Sequence, residues 1–190
     1  MIALYGGAFD PPHNGHVALL ESARSAFEIE ECVVAVTAAP PHKQVETPSV
    51  IRVELAKAAF PDETVVLDAY GRTIDLLKAH PEWEGAIFLI GADEFVDFPT
   101  WKEPDAILEL VRIGVATRPG SSPDRVAAVQ RKLRRSDRVE LFEMEPVDVA
   151  SRDLRARLDR GDDVHELVPE GVWALIERGG LYGRRYTGSA

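Results

Sequence analysis

Six short runs of apolar, largely β-branched residues recur along the chain. Most are continuous rather than alternating, which is typical of strands that are covered on both faces in a parallel sheet. The predicted strands are 2–5 (IALY), 32–37 (CVVAVT), 64–69 (TVVLDA), 86–91 (AIFLIG), 112–117 (RIGVAT) and 138–143 (RVELFE).

Stretches with helical periodicity separate these runs. They lie near 15–27, 49–59, 73–79, 104–110 and 123–134. Alternation of strands and helices at this spacing builds βαβ units. The pattern therefore predicts an α/β fold with a Rossmann-like, doubly wound parallel sheet of five to six strands.

The pattern changes after Glu145. The stretches 151–161 and 169–181 have helical periodicity, and each reaches glycine at its end, as helices commonly do. We predict a single domain over 1–190, with the sheet core in 1–145 and a small helical part in 146–185.

The composition is that of a globular protein, since 45% of the 190 residues are hydrophobic and 28% are charged. No run approaches the roughly 18 apolar residues that span a bilayer. The chain starts in a strand without a charged leader, so we expect no membrane partner and no signal peptide. The single cysteine, Cys32, indicates a reducing, cytoplasmic location, and we expect it to be a buried small hydrophobe.

Acidic residues outnumber basic ones by 32 to 22, which gives a net charge of −10. Proteins that bind nucleic acids or anionic membranes carry a concentrated basic surface, so we expect neither partner. The one basic cluster, RKLRR at 131–135, is interpreted as a solvated face of a helix-like segment.

The segment after the first strand, GGAFDPPHNGH, has the features of an anion site. Ligands of an open parallel sheet bind at the carboxyl ends of its strands. Gly6 and Gly7 allow close backbone approach, and the next helix directs its unpaired N–H groups and positive dipole end to the same place. His13 and His16, three residues apart, would share a helix face. This segment predicts a pocket for phosphate oxygens with two imidazole donors.

Other interpretations of this segment stay open. The glycine spacings of the dinucleotide fingerprint and of the P-loop are absent. The alternatives are a tight turn with two exposed histidines and a metal site made by Asp10, His13 and His16.

Residues after three further strands suit the same ligand. Lys43, in the loop AAPPHK, is a cation on a flexible stem. Gly91 permits close approach, and Asp93 can accept hydrogen bonds from a ribose. Trp101 can stack on an aromatic ring or pack in the core. Arg118 can bind a phosphate or a loop carbonyl.

The last predicted strand leads into VASRDLR, residues 149–155. Ser151 is a natural N-cap, so the start of this helix is a second candidate anion site. Arg152 and Arg155 oppose the helix dipole there, and a polyphosphate ligand would account for them. Salt bridges to Asp148 and Asp153 are the alternative.

These motifs resemble those of a known family. GGAFDPPHNGH is similar to the (T/H)xGH signature of the nucleotidyltransferase superfamily, and nearly the whole chain resembles bacterial nicotinate mononucleotide adenylyltransferases. The further segments that carry the resemblance are PPHK (40–43), RTIDLL (72–77), GADEFVDFPTW (91–101), RPG (118–120) and VPEGVWALIERGGLYG (168–183).

The resemblance implies a nucleotidyltransferase that transfers the adenylyl group of ATP to nicotinate mononucleotide. The products would be deamido-NAD and pyrophosphate, in NAD biosynthesis. ATP and nicotinate mononucleotide are the expected partners, Mg²⁺ is expected to arrive with ATP, and a homodimer is an assembly left open.

The resemblance also assigns roles to residues. The implied catalytic set is His13, His16, Lys43 and Arg155. The implied ATP-binding set is Gly6, Gly7, Ala8, Phe9, Gly91, Asp93, Ser151 and Arg152. The implied mononucleotide-binding set is Thr73, Trp101 and Arg118. We expect bound phosphates to raise the pKa of both histidines above the usual 6.5, so that each donates to phosphate near neutral pH.

The chain departs from the family pattern in two places. The ISSTxxR motif reads VASRDLR here, so one Ser is Ala150 and the Thr is Arg152. Before Thr73, where members often carry Ser-Tyr, this chain has Gly71-Arg72. Arg72 either favours a carboxylate on the acceptor or points to solvent.

Three alternative functions stay open at this point. The same chemistry can serve another phosphorylated acceptor, such as nicotinamide mononucleotide. The chain can be a nucleotide-binding module without catalysis, or the histidines can belong to a metallohydrolase.

Overall fold

The computed structural model describes residues 1–40, 45, 47–118 and 123–183. Within these residues, six parallel strands form one sheet in the order β3-β2-β1-β4-β5-β6. The strands are β1 (Ile2–Gly7), β2 (Glu31–Thr37), β3 (Thr64–Asp68), β4 (Ile87–Gly91), β5 (Arg112–Thr117) and β6 (Val139–Glu143). The predicted α/β fold with a doubly wound parallel sheet is confirmed.

The helices are α1 (Asn14–Ala26), α2 (Ser49–Ala59), α3 (Thr73–Ala79), α4 (Ala92–Asp97), α5 (Pro104–Leu110), α6 (Pro123–Gln130), α7 (Ser151–Asp159) and α8 (Glu170–Gly179). Helix α4 was not predicted, because its six residues follow β4 directly and are too few for a helical period to register.

The helix predicted over 123–134 ends earlier, at Gln130. The basic cluster at 131–135 therefore lies in turns beyond the helix. One of its members, Arg135, donates to Glu109 and Asp137.

Alternate side chains of each strand enter two apolar clusters on opposite faces of the sheet. In β1, Ala3 and Tyr5 belong to one cluster and Leu4 to the other. The first cluster includes residues of α1, α2, α7 and α8, and the second includes residues of α3 to α6. The C-terminal helices thus pack on the sheet and share its core.

Cys32 lies in the first of these clusters and is fully buried. Its burial raises the pKa of the thiol to about 12, so the side chain stays protonated and apolar. The expectation of a small buried hydrophobe is confirmed.

No helix in the described part of the chain is both long and apolar enough to cross a membrane.

The strand order reverses between β1 and β4, which are neighbours in the sheet. Connections from these two strands lead away in opposite directions and leave a crevice at their carboxyl ends. The segments that follow β1 and β4 both carry predicted site residues, so the fold directs them to the same end of the sheet.

A buried guanidinium ties the loops at this end together. Arg52 of α2 is 1% exposed. Its Nη1 donates to the carbonyl oxygens of Ala8 (2.7 Å) and Thr37 (2.8 Å), its Nη2 to Ala38 (2.7 Å), and its Nε to Thr47 (3.0 Å). One side chain therefore bonds to carbonyls after β1, at the end of β2, directly after β2 and before α2, and loss of these partners would be costly.

We predict that Arg52→Met destabilises the fold by about 3 kcal/mol or more, because it removes charge-assisted hydrogen bonds and leaves buried carbonyls without donors. Urea unfolding at neutral pH measures the loss. The matched control is Lys57→Met on the same helix, which removes an exposed pair with Glu54 and should cost less than about 1 kcal/mol. Equal losses in the two variants would contradict the structural role of Arg52.

Candidate active site

Two histidines stack at the head of α1. His13 is the N-cap, with extended backbone, and His16 lies in the first turn. Their ring centroids are 3.7 Å apart, with an interplanar angle of 29°. The backbone N–H of His13 donates to Nδ1 of His16 at 3.1 Å. In this arrangement Nδ1 of His16 is an acceptor, so a neutral His16 ring carries its proton on Nε2.

His13 is more enclosed than a residue in an exposed turn would be. The residue is 7% exposed. Its Nδ1 has no hydrogen-bond partner among the described residues. Burial lowers the pKa of His13 to about 4, so the imidazole is neutral near pH 7. This shift in the free chain is opposite to the rise expected from bound phosphates. The alternative of two exposed histidines is wrong.

Asp10 is a buried carboxylate at the base of this segment, 2% exposed. Its Oδ1 accepts a hydrogen bond from the hydroxyl of Tyr182 (2.8 Å), and its backbone carbonyl accepts one from Nη1 of Arg155 (2.6 Å). Burial, and then the charge of Asp10, raise the pKa of Tyr182. Arg155 therefore lies beside the histidine segment and pairs with neither Asp148 nor Asp153.

The start of α7 is attached to the same segment, in a way that differs from the prediction. The N-cap of α7 is Ala150, not Ser151. Ser151 instead donates its hydroxyl to the carbonyl of Pro11 at 2.9 Å. The predicted cap was wrong because the hydroxyl bonds to a distant backbone carbonyl rather than to its own helix.

Arg152 lies on the surface of α7. Its side chain is 88% exposed and its Nε is 3.6 Å from Oδ1 of Asp153. This is the salt-bridge alternative to the polyphosphate interpretation.

A cavity of about 430 Å³ opens at the carboxyl ends of β1 to β4. The described residues that line it are Gly6, Gly7, Ala8, Thr37, Pro40, Asp68, Gly71, Arg72, Thr73, Leu76, Phe88, Ile90, Glu94, Asp97, Thr100, Trp101, Lys102 and Ile107. Its volume is in the range of small-molecule sites, and its mixture of apolar walls with a few polar groups is typical of them.

Trp101 both packs in the core and lines the cavity. Its ring lies 5.3 Å from that of Phe98 and 6.3 Å from that of Phe88, between ring centroids. Thr73, the first residue of α3, lines the same cavity. The structure thus brings together two of the three residues expected to contact the mononucleotide.

The backbone of Gly6 and Gly7 forms one wall of the cavity, and aromatic rings explain why these residues are small. A Cβ on Gly7 would lie 3.0 Å from the ring of Phe9, and one on Gly6 would lie 3.0 Å from that of Phe88. The Phe9 ring in turn lies 5.1 Å from that of His16. Residues 6–10 therefore contact both the cavity and the histidine pair, since Gly6, Gly7 and Ala8 line the cavity and Phe9 packs against His16.

The described residues predicted for the site that do not line the cavity are Phe9, His13, His16, Ser151, Arg152, Arg155, Gly91, Asp93 and Arg118. The last three lie at the ends of β4 and β5 or directly after them. Gly91 ends β4 and caps α4. The side chain of Asp93 is 91% exposed, and its Oδ2 is 3.8 Å from Nη2 of Arg118. None of the three lines the cavity, so the structure does not bring Arg118 to Thr73 and Trp101. Lys43 lies outside the described residues.

Sequence reasoning missed two residues of this site. Arg52 is a charged residue at an apolar position of a helix, and that pattern is the signal that was available. Tyr182 lies in the segment 168–183 that carries the family resemblance, but its bond to Asp10 joins residues 172 positions apart, and no local pattern indicates that bond.

Asp10, His13 and His16, the ligands of the alternative metal site, are not placed to hold a metal ion. Within residues 1–40, 45, 47–118 and 123–183, no group of three or more His, Cys, Asp or Glu side chains is placed to hold a metal ion.

Comparison with known proteins gives one family. The family model described as cytidylyltransferase-like matches residues 4–158. A protein of Rubrobacter xylanophilus named "Probable nicotinate-nucleotide adenylyltransferase" is 35% identical, over 95% of this chain and 91% of that protein. One of the same name from Desulfitobacterium hafniense is 33% identical, over 95% of each chain.

Solved structures support the same fold. The nicotinic acid mononucleotide adenylyltransferase of Plasmodium falciparum, complexed with NaAD, superposes with a TM-score of 0.74 at 19% identity, over 97% of this chain and 98% of that one. At this identity the likeness is evidence of the fold alone. The sequence matches carry the assignment further: the chain belongs to the cytidylyltransferase-like family and, within it, to the nicotinate-nucleotide adenylyltransferases.

Proposed function

We propose that this chain transfers the adenylyl group of ATP to nicotinate mononucleotide, releasing pyrophosphate and forming deamido-NAD. The observation that carries the proposal is that one short segment, residues 6–10, lines the cavity that contains Trp101 and also packs against the stacked His13–His16 pair. Such a site can hold a phosphate next to a flat ring. The curated relatives bear the name of this activity.

In this proposal His13 and His16 donate to the reacting phosphate of ATP. Arg155, whose Nη1 reaches the carbonyl of Asp10, supplies a fixed positive charge beside them, and Lys43 adds a second cation. Thr73 and Trp101 hold the pyridine end of the acceptor, with the ring against the indole.

The remaining assignments of residues to substrate contacts stay predictions. Gly6, Gly7, Ala8 and Phe9 offer backbone to ATP. For Gly91, Asp93, Ser151, Arg152 and Arg118, the assignment rests on the family resemblance alone.

The reaction needs little from the protein beyond position and charge. A phosphate oxygen of the acceptor attacks the α-phosphorus of ATP, a new P–O bond forms, and the bond to the bridging oxygen breaks as pyrophosphate leaves. The nucleophile is already an anion, so no general base is required. Fixed donors act by stabilising charge on the non-bridging and leaving oxygens.

Both substrates are anions and the chain has a net charge of −10, so binding depends on local cations and on Mg²⁺. We expect Mg²⁺ to enter with ATP and to keep most of its waters, as this small ion usually does beside nucleotide phosphates.

The direct test is pyrophosphate release. The protein is incubated with Mg·ATP and either nicotinate mononucleotide, nicotinamide mononucleotide or no acceptor. We expect release with nicotinate mononucleotide and none without acceptor. ATP binding without release in any mixture would overturn the proposal and favour a non-catalytic nucleotide-binding module.

We predict that His16→Gln lowers kcat by roughly 100- to 1000-fold, the usual effect of removing one fixed donor to a developing oxyanion. Steady-state pyrophosphate release measures it. The control is His80→Gln, which removes a half-buried imidazole that pairs with Glu82 and does not line the cavity, and it should leave kcat unchanged. A loss below about threefold for His16→Gln would remove this residue from the reacting centre.

His13 generates a prediction about pH. Its pKa is about 4 in the free chain, and a bound phosphate favours the cation and raises that pKa. ATP binding should therefore be accompanied by proton uptake between about pH 5 and 6, and ATP affinity should rise as the pH falls through this window.

Calorimetric titration of the protein with ATP, in two buffers that differ in ionisation enthalpy, measures the uptake. It should be smaller in His13→Gln. Uptake that is unchanged in this variant would place the titrating group elsewhere.

A further inference from the structure

We infer that Arg72 selects the acceptor: its guanidinium binds the carboxylate on the pyridine ring and makes the cavity prefer the acid to the corresponding amide. The inference rests on the proposed function, because that function supplies the acceptor. The inference goes beyond that function by naming the side chain that distinguishes two acceptors of nearly identical size.

The backbone presents Arg72 at the rim of the cavity. Gly71 has φ +69°, and a Cβ there would lie 3.1 Å from the carbonyl oxygen of Ala39. Glycine suits both the positive φ and this close approach. The turn places the next residue, Arg72, as the N-cap of α3 with extended backbone, immediately before Thr73. Arg72 and Thr73 line the same cavity as Trp101.

Arg72 is also exposed and available for a ligand. No ion pair joins its guanidinium to a carboxylate within the part of the chain that the structure describes. The other cation lining the cavity, Lys102, is held by Asp75, with Nζ 2.8 Å from Oδ1 and 3.0 Å from Oδ2. The charge of Lys102 is thus already compensated, whereas that of Arg72 is not.

Carboxylates dominate the remaining charge of the cavity. Asp68, Glu94 and Asp97 all line it. Asp68 is 4% exposed, and its Oδ1 accepts hydrogen bonds from the backbone N–H groups of Tyr70 and Gly71. An acceptor that brings a further carboxylate into this environment meets repulsion.

A guanidinium at the rim counteracts this repulsion. It can offer two parallel N–H donors and a positive charge to a carboxylate, which is the geometry it binds best. An amide on the same ring carries no charge and gains less from Arg72, and it suffers less from the acidic neighbours. Arg72 is therefore the lining side chain that distinguishes the two acceptors by their charge.

The test compares acceptors in variants. For Arg72→Gln, we expect kcat/KM for nicotinate mononucleotide to fall by about 10- to 100-fold, the size of a lost charge-assisted contact. For nicotinamide mononucleotide it should change by less than about threefold, and the KM for ATP should stay constant. Arg72→Lys should fall between wild type and Arg72→Gln, because it keeps the charge but not the paired donors.

Lys78→Gln is the matched control. It removes one positive charge from α3 at a residue that pairs with Glu103 and does not line the cavity. Its ratio of kcat/KM values for the two acceptors should equal that of the wild type.

Equal losses of kcat/KM with both acceptors in Arg72→Gln would place Arg72 on the phosphate that they share and overturn the inference. Unchanged kcat/KM values for both acceptors would also overturn it. A wild-type protein that releases no pyrophosphate with either acceptor would instead contradict the proposed function, so the two failures are distinguishable.

Discussion

The site depends on one buried cation, the guanidinium of Arg52. Helix α2 contributes this side chain to the base of the loops after β1 and β2, where it donates to four backbone carbonyls. A buried charge is costly unless it is hydrogen-bonded, and here four of the five guanidinium N–H groups donate to backbone carbonyls. These hydrogen bonds offset the cost of burying the guanidinium, and they fix the segment that contacts both the cavity and the histidines.

Different physical effects position the histidine pair and the cavity that residues 6–10 contact. On one side burial keeps His13 neutral, and the backbone of His13 fixes the ring of His16 through its Nδ1. On the other side, aromatic packing holds Trp101 against Phe98 and leaves an apolar surface. The C-terminal part of the chain closes the first side, since Tyr182 and Arg155 both bond to Asp10.

The fold was largely predictable from local pattern, and the site only partly. The six strands follow from continuous apolar runs, because strands of a parallel sheet are buried on both faces. The helices α2, α3 and α5 follow from helical periodicity between those runs. The short helix α4 shows no periodicity in the sequence, because it has only six residues. In the site, the glycines, histidines and Trp101 could be found from their motifs, since each lies just after a strand and the carboxyl ends of parallel strands meet.

The rest required three-dimensional contacts. Ser151 bonds to Pro11 across 140 positions and Arg52 to Ala8 across 44, and no local rule relates such pairs. The pKa of His13 depends on how deeply the packed chain encloses it, which spacing alone does not reveal. Arg118 follows a strand as the motif rule requires, yet its neighbour is Asp93 and not the cavity.

The most direct test of the account is a crystal structure of the protein with deamido-NAD, since the central claim is that the cavity and the histidine pair form one site across residues 6–10. The account predicts the pyridine ring against the indole of Trp101 and the pyrophosphate within hydrogen-bond distance of His13 and His16. A dinucleotide whose pyridine ring lies outside the cavity, or whose pyrophosphate contacts neither histidine, would contradict it.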